Sequence, residues 1–248
     1  VDTALQNKRK RNRSAAFTMS NEATAESIAA AGPDVVVDRI DAFLDDRKLT
    51  QEQVADVYNR WSSTYEADLA RVPLGYNNPK QLVDAFAKVM PPGQQCRILD
   101  VACGTGLVGE RLRQLGYQRV DGIDGSEQML ETARRKGIYD GLHCELIGDQ
   151  PVKCVPPRTY DALLTTGSFC PNHLAPSCLR HLAALVKPGG IVGLAIRKEF
   201  LSTDPVLCQL EPEMDKLQAE GVWQPVLREE RECYYGDQAG MFYLLRVN

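Results

Sequence analysis

The chain has 248 residues, of which 44% are hydrophobic and 25% are charged, and its formal net charge is −4 at pH 7. This size and composition are those of a globular protein with one large domain or two small ones. The negative charge gives no reason to expect nucleic-acid binding, and no apolar run reaches the roughly 20 residues of a membrane-spanning helix. No secretory leader, with a charged segment before an apolar one, is recognisable.

The eight cysteines are scattered along the chain, and no two of them form a C-x-x-C pair. Paired spacing is typical of zinc sites and redox motifs, and a short disulfide-rich chain would be needed for a disulfide framework. The sequence therefore predicts reduced thiols in an intracellular protein, with no metal site.

Residues 1–32 are polar and poor in large apolar side chains, so we expect this segment to be disordered and the folded domain to span residues 33–248. The segment contains a basic cluster from Lys8 to Arg13. Such a cluster is typical of a nuclear localisation signal or a nucleic-acid patch, or it is a solvated tail without a specific role. We predict a cytoplasmic location, with nuclear entry through this cluster as the alternative.

Three helices are predicted before the first strand, over 34–46, from Thr50 onward and over 77–90. Thr50 and Gln53 form a T-x-x-Q capping box, which marks the start of the second helix. That helix carries an aromatic face with Tyr58, Trp61 and Tyr65 at helical spacing. The face either packs into the core or forms a lid over a ligand site.

The segment from Arg97 to Gly109, RILDVACGTGLVG, predicts a buried strand, a glycine turn and a helix. This order is the first half of a nucleotide-binding βαβ unit. Its glycines match the dinucleotide pattern G-x-G-x-x-G as well. However, Asp100 lies four residues before the first glycine. A carboxylate there would repel a pyrophosphate and attract a cationic amine or sulfonium.

Further strands are predicted over 119–124, 142–147, 160–165 and 191–197, with two more beginning at 223 and 240. Helices over 175–186 and 207–220 lie between them. The second strand ends at Asp124, eighteen residues after Gly106. A carboxylate at this distance commonly accepts hydrogen bonds from ribose hydroxyls, and this role fits NAD and S-adenosylmethionine equally.

Three stretches carry a family resemblance. The stretch DVACGTGLVG resembles the glycine motif of class I S-adenosylmethionine-dependent methyltransferases, with Ala102 in place of a common glycine. YNRWSSTYEADL (58–69) and DGSEQMLETAR (124–134) resemble segments of the methyltransferase-like family named after the Williams–Beuren chromosomal region. The resemblance covers about residues 54–246, and Gly125 departs from the apolar residue that is usual there.

The resemblance implies an α/β fold. We expect a seven-stranded Rossmann-like sheet with helices on both faces, an antiparallel carboxy-terminal edge strand and an amino-terminal helical lid. It also implies S-adenosylmethionine as the cofactor and methyl transfer to an acceptor, a small molecule or a protein. The cofactor residues that it nominates are Tyr58 and Tyr65 of the lid, Asp100, Ala102, Gly104, Thr105 and Gly106 of the glycine motif, Asp124, Gly125, Met129, Asp149 as the adenine partner, and Thr166.

The loop after the fourth strand, residues 166–174, should face the transferred methyl group, because ligands bind beyond the carboxyl ends of the strands. His173 lies in this loop and is either a general base or a structural residue. Two other functions stay open from the sequence. One is an NAD-dependent oxidoreductase, and the other is a module that binds S-adenosylmethionine without turnover. Motifs for methylating planar amino groups or cytosine carbon are missing, which disfavours a nucleic-acid acceptor.

Overall fold

The computed structural model describes Ile40, Phe43, residues 49–93 and residues 95–248. The predicted disordered tail and most of the helix predicted over 34–46 lie outside these residues. Ile40 and Phe43 are described, and both are helical and buried. The described part of the chain contains no helix that is long and apolar enough to span a membrane.

Seven strands form one sheet, and their positions follow the predicted ones closely. They are β1 (Arg97–Val101), β2 (Arg119–Asp124), β3 (Gly141–Cys144), β4 (Tyr160–Thr166), β5 (Val186–Arg197), β6 (Trp223–Tyr235) and β7 (Gln238–Val247). The strand order is β3-β2-β1-β4-β5-β7-β6. The first five strands are parallel, and β7 pairs antiparallel with both of its neighbours. The carboxy-terminal strand therefore lies inside the sheet, and β6 forms the edge.

In the described part of the chain, three helices with complete bounds precede β1, and five lie in the connections that follow. They are α1 (Gln51–Trp61), α2 (Tyr65–Leu69), α3 (Asn78–Val89), α4 (Leu107–Gln114), α5 (Glu127–Lys136), α6 (Leu179–Ala184), α7 (Phe200–Thr203) and α8 (Leu210–Ala219). The connections from β1 to β2 and from β2 to β3 run along the sheet in one direction, and the connection from β4 to β5 runs in the other. Because such crossovers are right-handed, α4 and α5 lie on one face of the sheet and α6 lies on the other. This is the predicted arrangement of helices on both faces.

Several element boundaries differ from the predicted ones. The single helix predicted from Thr50 through Tyr65 is broken by a turn at residues 62–64, and a hydrogen bond of 2.8 Å from Trp61 Nε1 to Asp68 Oδ2 spans this turn. The third strand ends at Cys144 rather than at residue 147. Short 3₁₀ turns replace the first residues of the helices predicted over 175–186 and 207–220.

The sheet order places the functional site. The order reverses between β1 and β4, because β1 continues to β2 on one side while β4 lies on the other. In open α/β sheets, ligands bind at such a switch point, beyond the carboxyl ends of the strands. The core beneath it is formed by fully buried apolar side chains of β1 and β4, among them Ile98, Leu99 and Leu163.

Candidate active site

A cavity opens at the switch point, and we call it the cofactor cavity. It has about 750 Å³ of empty space, including its open mouth. Nine of the residues nominated from the sequence line it: Tyr58, Tyr65, Ala102, Gly104, Asp124, Gly125, Met129, Thr166 and His173. These residues come from the lid helices, the glycine loop, the end of β2 and the loop after β4, so the fold brings distant segments together.

Asp124 joins the glycine loop to the end of β2. Its Oδ2 accepts a hydrogen bond of 2.8 Å from the Gly104 amide, and its Oδ1 accepts one of 2.8 Å from the Ser126 amide. Burial raises the pKa of this carboxyl above its ordinary value, and the amides of Ser126, Gly104 and Gly125 work in the opposite direction. A carboxylate offers about four lone-pair positions, so both oxygens retain capacity for a ligand's hydroxyl groups.

Asp100 does not line the cofactor cavity. Its side chain is 1% exposed, and its Oδ2 accepts a hydrogen bond of 2.6 Å from the Tyr139 hydroxyl. Burial raises the pKa of Asp100 to about 7, although Tyr139 and the Gly109 amide stabilise its charge. A Cβ at Gly109 would lie 2.5 Å from the Tyr139 hydroxyl, so glycine is required for Tyr139 to reach Asp100. The structure thus gives Asp100 a structural partner in place of the predicted cationic ligand group.

Three further nominated residues lie away from the cofactor cavity. Thr105 and Gly106 belong to the glycine loop, but both are buried, and Gly106 is the N-cap residue of α4. Asp149, the predicted adenine partner, is exposed, and its carboxylate accepts a hydrogen bond from Ser177 Oγ. The Asp149 carboxylate therefore contacts the 3₁₀ turn that precedes α6, and Asp149 does not line the cofactor cavity.

Ala102 adopts a left-handed backbone conformation, with φ of 55°. Only glycine enters this region without cost, and an L-residue loses roughly 1–2 kcal/mol there. The alanine at the position of the usual glycine is therefore a strained substitution, although it is small.

His173 and Tyr58 form a hydrogen-bonded pair in the cavity wall. His173 Nδ1 lies 2.7 Å from the Pro171 carbonyl oxygen, which requires a proton on Nδ1. His173 Nε2 therefore accepts the hydrogen bond of 2.9 Å from the Tyr58 hydroxyl. Burial lowers the pKa of His173 to about 4, so the ring is neutral at pH 7. An imidazole with this pKa takes up a proton poorly. This favours a role for His173 in positioning the Tyr58 hydroxyl over a role as a general base.

The lid is fastened across the cofactor cavity by side chains that sequence reasoning missed. Gln51 Nε2 donates to the Ile147 carbonyl at 3.2 Å and to the His173 carbonyl at 2.9 Å. Asn59 Oδ1 accepts hydrogen bonds from Ser126 Oγ at 2.7 Å and from the Gln128 amide at 3.2 Å. Helix α1 is therefore tied to both sides of the cavity mouth.

Glu145 is another wall residue that was missed. It directly follows β3, and the rule that ligands bind beyond the carboxyl ends of strands could have indicated it. The wall thus includes two acidic residues, Asp124 and Glu145, and its described residues include no lysine or arginine. Both carboxylate oxygens of Glu145 accept hydrogen bonds from backbone amides, those of Lys153 and Cys154. No group of three or more metal-ligating side chains occurs among the residues described.

A family model named Methyltransferase domain matches residues 98–190, the segment that contains the glycine loop, Asp124 and His173. Human Methyltransferase-like protein 27 is 36% identical over 168 residues, which are 67% of this chain and 66% of the human protein. The chain belongs to the class I S-adenosylmethionine-dependent methyltransferases. This confirms the family predicted from the glycine motif.

Other methyltransferase relatives align with a smaller share of this chain than the human protein does. The Ubiquinone biosynthesis O-methyltransferase of Xanthomonas campestris strain B100 is 31% identical over 148 residues, which are 58% of this chain and 59% of that protein. The alignments with curated relatives thus span about three fifths to two thirds of those proteins.

Solved structures show the same fold at low identity. A S-adenosylmethionine-dependent methyltransferase from Clostridium acetobutylicum matches with a TM-score of 0.55 at 15% identity, covering 77% of this chain and 99% of that one. The [4+2]-cyclase SpnF matches with a TM-score of 0.60 at 19% identity, covering 80% of this chain and 97% of that one. Since a cyclase shares the class I methyltransferase fold, the fold alone does not assign the reaction.

Proposed function

We propose that this methyltransferase binds S-adenosylmethionine in the cofactor cavity and transfers its methyl group to an acceptor. The observation that carries the proposal is the charge of the cavity wall. Asp124 and Glu145 are acidic, and no described wall residue is cationic. Such a wall suits a ligand with an ammonium and a sulfonium, and it disfavours the pyrophosphate of NAD. The oxidoreductase alternative is therefore the weaker one.

The residues present fit this cofactor. The Gly104 and Ser126 amides each donate to one carboxylate oxygen of Asp124 and so fix its orientation. The lone pairs that remain on these oxygens can accept hydrogen bonds from ribose hydroxyls. Met129, Gly125 and Leu146 line the cavity, with Leu146 next to Gly125, and they offer an apolar surface for the adenine. This replaces the predicted adenine contact with Asp149. When bound, S-adenosylmethionine would supply a methyl carbon on a sulfonium, to which an acceptor's lone pair would bond as the carbon–sulfur bond breaks and S-adenosylhomocysteine leaves.

The protein's own contribution is alignment and exclusion of water. Gln51 and Asn59 hold α1 over the cavity, and the Tyr58 hydroxyl is fixed by neutral His173. Holding donor and acceptor in a reactive geometry can supply several kcal/mol of the barrier reduction. The bacterial relatives are named for O-methylation, which favours an acceptor oxygen here as well.

The decisive experiment compares cofactors and two aspartate variants by calorimetry. Wild-type protein should bind S-adenosylmethionine and show no comparable binding of NADH. Asp124→Ala should weaken S-adenosylmethionine by roughly 1.5–3 kcal/mol, the scale of hydrogen bonds to a charged group. Asp149→Ala is the matched control, because its carboxylate is exposed and outside the cavity. It should change the affinity less than twofold.

Tight NADH binding by wild-type protein would reject the proposal. Unchanged affinity in a folded Asp124→Ala variant would reject the ribose assignment alone. Binding of S-adenosylmethionine without turnover on any acceptor would instead support the non-catalytic module.

A further inference from the structure

A second cavity adjoins the cofactor cavity, and we call it the aromatic cavity. It has about 490 Å³ of empty space, including its mouth. Eight of its fourteen wall residues are aromatic. The wall residues that carry the argument below are Trp61, Asn78, Cys170, Tyr234 and Tyr235. The described residues of this wall include no carboxylate, and their one charged side chain is that of Arg197, whose guanidinium packs over the rings of Phe200 and Tyr235. A flat apolar ring fits such a wall, because aromatic faces and edges give favourable packing geometries.

The two cavities meet at residues that belong to both walls, namely Tyr58, Tyr65, Tyr76 and Gly167. Gly167 has φ of 69°, and a Cβ placed on it would lie 2.3 Å from the Tyr76 hydroxyl. Glycine is therefore required where the two spaces join. A molecule in the aromatic cavity would approach the cofactor cavity at this junction.

A backbone irregularity builds one side of the aromatic cavity. Tyr234 and Tyr235 are consecutive residues of β6, yet both are 4% exposed. Neighbouring strand residues ordinarily point to opposite faces. The β6–β7 register shifts between Arg231 and Tyr235, and Cys233 has φ of 54°. Bulges of this kind re-aim side chains beside functional sites, and strained backbone persists only where the surrounding structure holds it.

A polar group is buried in the same wall. Asn78 is fully buried, near the hydroxyls of Tyr76 and Tyr234. Its amide oxygen and nitrogen nevertheless make no hydrogen bond of normal geometry within the described part of the chain. A buried amide without a well-aligned partner is destabilising, and a ligand's polar group would relieve this. Asn78 can both donate to and accept from a ligand's hydroxyl group.

We infer that the aromatic cavity binds the methyl acceptor, and that the acceptor is a small aromatic molecule with a hydroxyl or similar polar substituent. The inference rests on the proposed function, since it assigns the second substrate of that reaction. It favours a small molecule over a protein acceptor, because the wall is formed by buried and half-buried side chains of the lid, α3, the loop after β4, β5, α7 and β6. The ring would pack among the aromatic side chains, and Asn78 would bind its polar group.

The test uses phenol as the probe and cyclohexanol as its non-aromatic counterpart, both in the presence of saturating S-adenosylhomocysteine. Binding is followed by saturation-transfer NMR and by quenching of tryptophan fluorescence, since Trp61 lies in the aromatic cavity wall. Phenol should bind at least tenfold more tightly than cyclohexanol. Equal affinities for the two probes would overturn the assignment of an aromatic acceptor.

Two variants probe the cavity itself. Asn78→Ser should weaken phenol about fivefold, and Asn248→Ser is the matched control because Asn248 is exposed at the chain end. Cys170→Phe should fill the space and abolish phenol binding, because Cys170 lines only the aromatic cavity. S-adenosylhomocysteine affinity should stay within twofold in every variant.

The outcomes separate the two proposals. Failure of wild-type protein to bind S-adenosylhomocysteine contradicts the proposed function itself. Normal S-adenosylhomocysteine binding, together with phenol binding that is unchanged in both Asn78→Ser and Cys170→Phe, overturns only the acceptor assignment. Because one substitution removes a polar group and the other adds volume, unfolding of one variant leaves the other as the test.

Discussion

Asp100 and Asp124 end neighbouring strands, yet their carboxylates have different environments. Asp124 faces the cofactor cavity, whereas Asp100 is enclosed with Tyr139. The strand position of Asp100 could be predicted from the sequence. Its partner could not, because Tyr139 lies 39 residues further along the chain and reaches Asp100 only past Gly109. Local pattern fixes the backbone of a glycine loop, whereas side-chain partners depend on tertiary packing.

The raised pKa of Asp100 makes stability depend on pH. Its carboxyl has a pKa of about 7 in the folded protein, against an ordinary 3.8. Between these values the folded state binds a proton that the unfolded state releases, so the free energy of unfolding falls as the pH rises towards 7. Above pH 7 both states are ionised and this contribution stays constant. Asp100→Asn should remove this part of the pH dependence.

Urea unfolding at pH 5, 6.5 and 8 measures the effect. The difference in unfolding free energy between Asp100→Asn and wild type should grow in favour of the variant from pH 5 to pH 8. Asp215→Asn is the control, because Asp215 is exposed on α8. Parallel pH profiles for wild type and Asp100→Asn would show that Asp100 ionises normally.

At the scale of elements, the aromatic helix of the lid was predicted, but the hydrogen bonds that hold it across the cofactor cavity were not. The capping box of Thr50 and Gln53 is present as predicted, since each side chain bonds the other's backbone amide. Gln51 lies between them and spans the cavity, to a loop that is 122 residues away in sequence. Capping is readable from local sequence, whereas a cross-cavity hydrogen bond requires the assembled fold. The β6 bulge could not be predicted from local sequence either, because its left-handed residue is Cys233 and not a glycine.

Removal of the Gln51 amide should loosen the lid. Gln51→Ala loses two hydrogen bonds, and each contributes roughly 0.5–1.5 kcal/mol. If these bonds hold the closed lid, S-adenosylmethionine should dissociate about tenfold faster, as measured by stopped-flow displacement. Hydrogen exchange should also increase in residues 51–61. Gln53→Ala is the matched control, because it weakens the helix cap without touching the cavity. Equal dissociation rates for the two variants would contradict a fastening role for Gln51.

At the scale of the whole molecule, the strands of the sheet could be largely predicted, because glycine turns and apolar runs mark most of them. The place where the folded domain begins is harder to infer. Ile40 and Phe43 are each 5% exposed. The Phe43 ring packs at 5.7 Å from Tyr58 and 5.9 Å from His173, measured between ring centroids. Phe43 therefore contributes to the wall behind the Tyr58–His173 pair, whereas the composition of residues 1–32 predicts no packing.

Two truncations distinguish these segments. Deletion of residues 1–32 should leave the melting temperature and the S-adenosylmethionine affinity unchanged, because the segment is poor in large apolar side chains. Deletion of residues 1–48 also removes Ile40 and Phe43, and the loss of one buried phenylalanine alone costs about 3–5 kcal/mol. At roughly 2–4 °C per kcal/mol for a domain of this size, the melting temperature should fall by about 10 °C. Cofactor affinity should fall with it, because Tyr58 and His173 lose their packing partner. Calorimetric melting and titration of both truncated proteins check these outcomes. A similar loss after the shorter deletion would mean that residues 1–32 pack against the domain, and that the folded unit begins earlier than residue 33.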